Sequence, residues 1–289
     1  MKVAVTGGSG RAGRAVVRRL LERGHEVLNI DLSPSPGSHS HDSPAPFLAA
    51  DVTDFGQVFE ALNGGAARMP APDAVVHLAA VPSPVHGTPD RTFRTNVVSS
   101  YAVFAAAARA GVQRVVWASS EVTLGLPFEQ PPDYVPIDEQ HELRPESAYA
   151  LSKVLGEEMA RQFNRWSGIP FVGLRFSNVL GPTEYERFPG YWDDPNLRKW
   201  NMWSYVDERD VAQSVERALE ADIGGAETFI VAAADTVMQR PTLELMAEVF
   251  PDVPIRGELA EHGSLLAIEK ARRLLGYAPE VTWRTLLQP

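Results

Sequence analysis

The chain opens on a strand, a glycine-rich turn and a helix in immediate succession, and few folds can use that order. Lys2-Val3-Ala4-Val5 is a short apolar run. Thr6-Gly7-Gly8-Ser9-Gly10-Arg11-Ala12-Gly13 follows it, and residues 11–23 then carry a helical pattern. A turn in this position aims backbone N–H groups at a ligand on the helix N-terminus, which suits a pyrophosphate. Gly7, Gly10 and Gly13 have the spacing G-x-x-G-x-x-G. Glycine turns are common, but a strand before and a helix after supply the context that a dinucleotide site requires. Ser9, Gly10, Arg11 and Ala12 complete the candidate cradle.

The same alternation continues along the chain. Residues 26–30, 74–78, 115–118 and 171–174 read as further strands, and residues 55–62, 92–110 and 147–167 as helices. Strands that alternate with helices predict an α/β fold, a doubly wound parallel sheet with helices on both faces. Residues 33–46, rich in Pro, Ser, His and Gly, read as a surface loop. His39 and His41 there have no third ligand nearby in sequence, so no metal is expected. After Gly181-Pro182 the character changes. Tyr185, Tyr191, Trp192, Trp200 and Trp203 cluster among prolines and charges, as in a lid or second lobe. A helix over 207–221, a strand over 228–232 and closing helices over 240–250 and 265–275 are expected. The resulting division is a dinucleotide-binding domain of residues 1–174 plus 205–232, and a small C-terminal substrate-binding lobe of residues 175–204 plus 233–289.

Asp31 ends the second strand, 18 residues after Gly13. A carboxylate there can accept both ribose hydroxyls of NAD and would repel a 2′-phosphate, which favours NAD over NADP. Arg11 pulls the other way if it pairs with a 2′-phosphate; as a solvated first-turn Arg it is neutral. Asp51-Val52, after the next strand-like stretch, could read the adenine edge or merely cap the helix that follows. Tyr149 and Lys153 are four residues apart in a helical stretch and so share a face. A tyrosine titrating near ~10 is a poor base at neutral pH unless a cation lowers it, and the Lys153 ammonium is placed to favour the phenolate.

Composition narrows the partners. There are 27 basic and 37 acidic residues, a formal charge of −10. With no run of Lys and Arg, neither nucleic acid nor an anionic membrane is expected as a partner. The absence of cysteine excludes disulfides, Cys-based zinc sites and thiol catalysis. No apolar stretch approaches the ~18 residues of a membrane span. The chain begins directly on a strand without a signal-peptide pattern. A cytoplasmic, soluble protein is the expectation.

With these residues in hand, the chain resembles the extended short-chain dehydrogenase/reductases, the sugar epimerase/dehydratase group, over nearly its whole length. The resemblance rests on Thr6 to Gly13, Asp31, Asp51-Val52, His77-Leu78-Ala79-Ala80, Asn96, Ser119-Ser120, Tyr149-x-x-x-Lys153 and Arg175-Phe176-Ser177-Asn178-Val179-x-Gly181-Pro182. It continues through Tyr205-Val206-Asp207-x-x-Asp210-Val211-Ala212, Lys270-Ala271 and Leu275-Gly276-Tyr277-x-Pro279. It implies that Tyr149 is the general acid/base and that Lys153 lowers its pKa and holds the nicotinamide ribose. Ser120 would hydrogen-bond the reacting oxygen. Leu78, Ala79, Ala80, Asn96, Phe176 and Ser177 would join the cofactor site, with His77 structural. A homodimer formed through the two long helices is also implied.

Three departures from the group's pattern shape the expected chemistry. The dehydratases place an Asp-Glu pair after the active-site Ser/Thr, where this chain has Glu121-Val122. Elimination of water needs a separate acid and base, so dehydration is discounted; Glu121 could contact substrate or cap a turn. Leu124-Gly125 replaces the usual Tyr-Gly, through a changed substrate environment or simple packing. The segment between Gly181-Pro182 and Tyr205 is short for holding a nucleotide diphosphate, so a free sugar, uronic acid or small hydroxy/keto compound fits better. This compact plan resembles the uronate dehydrogenases. Arg187 could clamp a substrate carboxylate bidentately or be an exposed surface charge. Ser83, His86 and Asn178 are candidate pocket lining, and Trp192 a candidate to close it. The expected function is NAD-dependent hydride transfer on a sugar or sugar acid. An NAD-retaining epimerase and a non-catalytic dinucleotide sensor are the alternatives.

Overall fold

The structure, a computed structural model, describes residues 1–34, 45–64, 70–82 and 87–287. The expected parallel sheet is present with seven strands: β1 (Lys2–Thr6), β2 (Glu26–Asp31), β3 (Phe47–Ala49), β4 (Ala74–His77), β5 (Arg114–Ser120), β6 (Phe171–Phe176) and, later in the chain, β9 (Ala226–Val231). Their order across the sheet is β3-β2-β1-β4-β5-β6-β9. All pairings are parallel, with Val5 opposite Asn29 on one side and opposite Val76 on the other. Both faces are covered, which is why the strands read as continuous apolar runs rather than alternating ones. Val3, Val5, Val116 and Val172 enter one core, with helix α1 (Arg11–Glu22) and helix α5 (Glu208–Glu220) packed on that face. Ala4, Val75, Val115 and Phe171 enter the other, under α2 (Phe55–Leu62), α3 (Pro89–Ala110) and α4 (Ala148–Ser167).

Local signals set the helix limits. The Ser147 hydroxyl accepts from the Ala150 N–H at 3.0 Å and starts α4, and Gly168, at φ 74°, ends it. Helix α3 begins three residues before the expected start, because Thr88 caps it and Pro89 occupies the first turn. The closing helices are shorter than expected: α6 spans Thr242–Val249 and α7 spans Glu269–Leu275, followed by α8 (Trp283–Leu286). Residues 265–267 are extended instead. The Ile137 N–H donates to the Leu265 carbonyl and the Ala267 N–H to the Ile137 carbonyl, so bridging to Ile137 wins over helix propensity.

The aromatic-rich segment after Gly181-Pro182 is packed rather than lid-like. Three 3₁₀ turns carry it between β7 (Val179–Leu180) and β8 (Val206–Asp207), which pair with each other. Tyr185, Phe188, Trp203 and Tyr205 are buried, and the Tyr185 and Phe188 rings meet edge to face at 5.3 Å.

Strand order reverses between β1 and β4, and the crevice above that switch point is where a doubly wound sheet binds its ligand. The glycine turn sits there in close contact. A Cβ on Gly13 would lie 2.0 Å from the Gly7 carbonyl oxygen, and Gly7 itself has φ 74° and would meet the Ala79 nitrogen at 2.5 Å. Gly13→Ala is therefore expected to cost roughly 1–3 kcal/mol by overpacking and to weaken dinucleotide binding. Thermal melts with and without NAD check this; an unchanged melting temperature and affinity would remove Gly13 from the turn's packing.

Candidate active site

The cofactor cradle is assembled from the first two strands. No side chain caps the N-terminus of α1 at Gly10, and its first turn holds no acidic residue, so an anion meets N–H groups without competition. Ser9 is fixed through three polar groups: its N–H donates to Asp31 Oδ2 at 3.0 Å, its hydroxyl accepts from Asn29 Nδ2 at 3.2 Å, and its carbonyl accepts from Arg14 at 3.0 Å. Asp31 thus sits at the strand end beside the turn, as expected for a ribose contact. Arg11 is spent elsewhere. Its guanidinium pairs with Glu184 and donates to the Val179 carbonyl at 3.0 Å, which ties the turn to the segment after β7.

Other expected cofactor residues divide by role. Leu78, Ala79 and Ala80 follow β4 against the glycine turn, partly exposed along the crevice. Asn96 is buried and its amide is committed to the backbone of Val81, accepting from the N–H at 2.8 Å and donating to the carbonyl at 3.1 Å. It positions the loop after β4 rather than presenting a free group. Asp51 accepts from both the N–H and the hydroxyl of Thr53, while Asp54 caps α2; Val52 packs at the edge of the core beneath that helix. Phe176 is core, and Ser177 donates its hydroxyl to Glu121 at 2.6 Å. His77 is structural, paired with the Thr6 hydroxyl at 2.7 Å and held neutral by burial, which takes its pKa down to about 3. Ser83 and His86, and His39 and His41, lie outside the described residues.

Ser120, Tyr149 and Lys153 are brought together at the C-terminal end of β5. Tyr149, Lys153 and Glu157 stand one turn apart along the buried face of α4. Glu157 locks that face down: both its oxygens accept from Arg175 of β6 at 2.8 Å, and Oε1 also accepts from the Ser119 hydroxyl at 2.7 Å. The Lys153 ammonium donates to the Ala118 carbonyl at 2.8 Å and lies 5.6 Å from the centre of the Tyr149 ring.

Burial works against the expected activation of the phenol by Lys153. Burial pushes Tyr149 up to about 12, the Ser120 hydroxyl pulls against that, and the Glu121 charge adds to it. Burial also draws Lys153 down to about 8. Burial thus favours the neutral phenol, with the Ser120 hydroxyl opposing it.

Glu121 and Arg198 are the residues whose importance the sequence left open or missed. Glu121 is buried, accepting from Ser177 and from Asn201 Nδ2 at 3.2 Å, and burial raises it to about 7 against the pull of those hydrogen bonds and of Arg198. Arg198 is only 8% exposed. It donates to the Ser204 carbonyl at 3.0 Å and to Asn178 Oδ1 at 3.4 Å, and lies over the rings of Trp200 and Tyr191. It lines a cavity of about 190 Å³ together with Arg11, Asn178, Glu184, Arg187 and Tyr191. Arg187 borders the same cavity but is exposed, 3.9 Å from Glu184. Trp192 does not close it: its indole N–H donates to the Val237 carbonyl at 3.0 Å and its ring packs on Trp283. Leu124, where the group has tyrosine, is fully buried core, the packing alternative.

Because the folded-state pKa of Glu121 lies above its unfolded value, its ionisation opposes folding. The penalty is absent below about pH 4.5 and complete above about pH 7. Glu121→Gln is expected to raise stability at pH 8 by on the order of 2 kcal/mol and leave it nearly unchanged at pH 4. Denaturant melts at the two pH values measure the difference; an equal effect at both would contradict a neutralised Glu121.

Comparisons with known proteins agree with this geometry. The sequence profile of the NAD dependent epimerase/dehydratase family matches residues 3–192. The chain is 28% identical to the putative UDP-glucose 4-epimerase of Methanocaldococcus jannaschii, covering 96% of this chain and 93% of that one. It is 30% identical to the uronate dehydrogenase of Pseudomonas putida, covering 81% and 76% respectively. Among solved structures, a short-chain dehydrogenase/reductase superfamily protein from Agrobacterium tumefaciens with bound NAD superposes with a TM-score of 0.73 at 26% identity, covering 99% of this chain and 95% of that one. No helix among the described residues is long and apolar enough to cross a membrane.

Proposed function

The chain belongs to the NAD dependent epimerase/dehydratase family, and within it we propose an NAD-dependent dehydrogenase of a sugar acid or similarly small anionic hydroxy compound. The observation that carries the reading is Arg198, a buried cation on the wall of a small cavity that Arg11 and Arg187 also border. Among the described residues Glu184 is the only acid on that wall. A planar guanidinium suits bidentate recognition of a carboxylate. At about 190 Å³ the cavity suits a sugar-sized ligand better than a nucleotide sugar.

The residues of the crevice fit NAD. The uncapped N-terminus of α1 takes the pyrophosphate and Asp31 the adenosine ribose. The pairing of Arg11 with Glu184 supports NAD over NADP. When bound, NAD supplies the acceptor for the substrate's hydride. In the oxidising direction Tyr149, as phenolate after giving its own proton to solvent, takes the hydroxyl proton at its phenolic oxygen, Ser120 orients the reacting oxygen, and Lys153 holds the nicotinamide ribose. The neutral phenol of this geometry is the form that donates a proton in the reducing direction. Proton acceptance from substrate requires a lower Tyr149 pKa than the one found here.

Absorbance of NADH, followed with NAD or NADP and a panel of uronic acids, aldoses and nucleotide sugars, tests the reading. Steady NADH formation with acids is expected, with Tyr149→Phe inactive but still binding NAD. Arg198→Met should raise KM for acids at least tenfold, about 1.4 kcal/mol. Interconversion of nucleotide sugars without NADH would favour the epimerase instead.

The protein is also proposed to form a homodimer. Val98 and Tyr101 on α3 and Leu151, Leu155 and Trp166 on α4 are exposed large apolar residues on two adjacent helices. Such a contiguous patch suits burial against a second copy. Light scattering should give twice the chain mass, and Tyr101→Glu with Leu155→Glu a monomer; a wild-type monomer would refute the dimer.

A further inference from the structure

Glu121 is a buried ionisable group beside the catalytic candidates that the proposed hydride-transfer chemistry leaves without a role. It follows Ser120 in the chain and bridges two parts of the fold. Ser177, at the end of β6, and Asn201, in the aromatic-rich segment, both donate to its carboxylate. It is 3% exposed and does not line the cavity. The charged and titratable groups facing it are Arg198 from the aromatic-rich segment and Tyr149 from α4. Lys153, on the same helix as Tyr149, turns to the Ala118 carbonyl instead. Arg198 is therefore shared: one guanidinium faces Glu121 from behind the cavity and any anion within it.

We propose that Glu121 takes up a proton when an anion in the cavity draws on Arg198, so that occupancy reaches Tyr149 as the loss of a neighbouring negative charge. The proposal rests on reading the cavity as an anion site. Its physics is competition. In a poorly solvated environment one cation does not neutralise two carboxylates, and the one with less access to water protonates. Glu121 is that one. The step is a single proton taken from solvent by a carboxylate oxygen, with no bond to substrate and no redox change. Glu121 is already poised near neutrality by burial, so a modest weakening of its hold on Arg198 is enough. A neutral Glu121 removes one of the two influences that raise Tyr149, which favours proton acceptance once substrate is bound.

The test is an infrared titration of the Glu121 carboxyl in the NAD-loaded protein, isolated as the difference between wild type and Glu121→Gln. The wild-type band is expected to titrate near neutral pH. In Arg198→Met the midpoint should rise by roughly one to three units, and in Arg198→Lys, which keeps the charge, it should stay within about one unit of wild type. Galacturonate or inorganic phosphate added to the wild type should raise the midpoint as the Met variant does. If Arg198→Met is too unstable at high pH, adding Glu121→Gln should restore its stability, because the unpaired carboxylate is gone. An unchanged midpoint in Arg198→Met, or no Glu121 band titrating between about pH 5 and 9, would overturn the proposal, as would failure of the double variant to recover. A shift in Arg198→Met without turnover of any acid would leave this link standing and remove the substrate assignment instead.

Discussion

The geometry of the site depends on one buried ion pair. Glu157 and Arg175 meet through two parallel hydrogen bonds, both groups at most 3% exposed, and Ser119 adds a third. Taking these charges out of water is costly, so the pair's value is not net stability. Its value is position. It ties α4 to the adjacent strands β5 and β6, which places Tyr149 two turns up the helix beside Ser120 and lets Lys153 reach the Ala118 carbonyl. Breaking such a pair leaves an uncompensated buried charge, costing about 3–5 kcal/mol, and the first consequence would be a misplaced phenol.

Much of this was legible in the sequence because it is carried by local rules. A glycine turn between strand and helix, a carboxylate at the end of β2, and Tyr149 four residues before Lys153 are patterns of spacing, and spacing survives folding. The sheet followed from alternation alone. What the sequence did not show depends on contacts between distant segments. Nothing local marks Arg198 as buried and Arg187 as exposed, since both are arginines among aromatics. Their difference arises because the 3₁₀ turns over 195–201 carry Arg198 inward, to Ser204 and Asn178, and leave Arg187 toward solvent. Arg11 was ambiguous for the same reason: its partner, Glu184, is far along the chain. Residues 265–267 were misread as helix because the pairing that keeps them extended comes from residue 137.

The electrostatics of the site likewise could not come from spacing. A Tyr and Lys four apart suggest a stabilised phenolate, yet burial acts on both groups at once and in opposite directions. It disfavours the phenolate and the ammonium together, so their titrations move apart, the phenol's upward and the ammonium's downward. Position on a helix decides which groups can meet. Desolvation decides which charge states they can hold.

The same distinction explains why Glu121 belongs with the aromatic-rich segment as much as with β5. Its hydrogen bonds come from Ser177 and Asn201, and its counter-charge from Arg198, so its protonation state depends on how the aromatic-rich segment sits. That segment is held by packing, with Trp203 buried and its indole N–H given to the Pro195 carbonyl. It is also tied to the cofactor turn through Arg11 and Glu184. Dinucleotide crevice, anion cavity and phenol therefore share a chain of contacts in which every charged member is wholly or partly withdrawn from water. Near the buried members of that chain an added charge is poorly screened. Glu121, buried beside Ser120 and facing Tyr149, is one of the carboxylates where such a charge is felt.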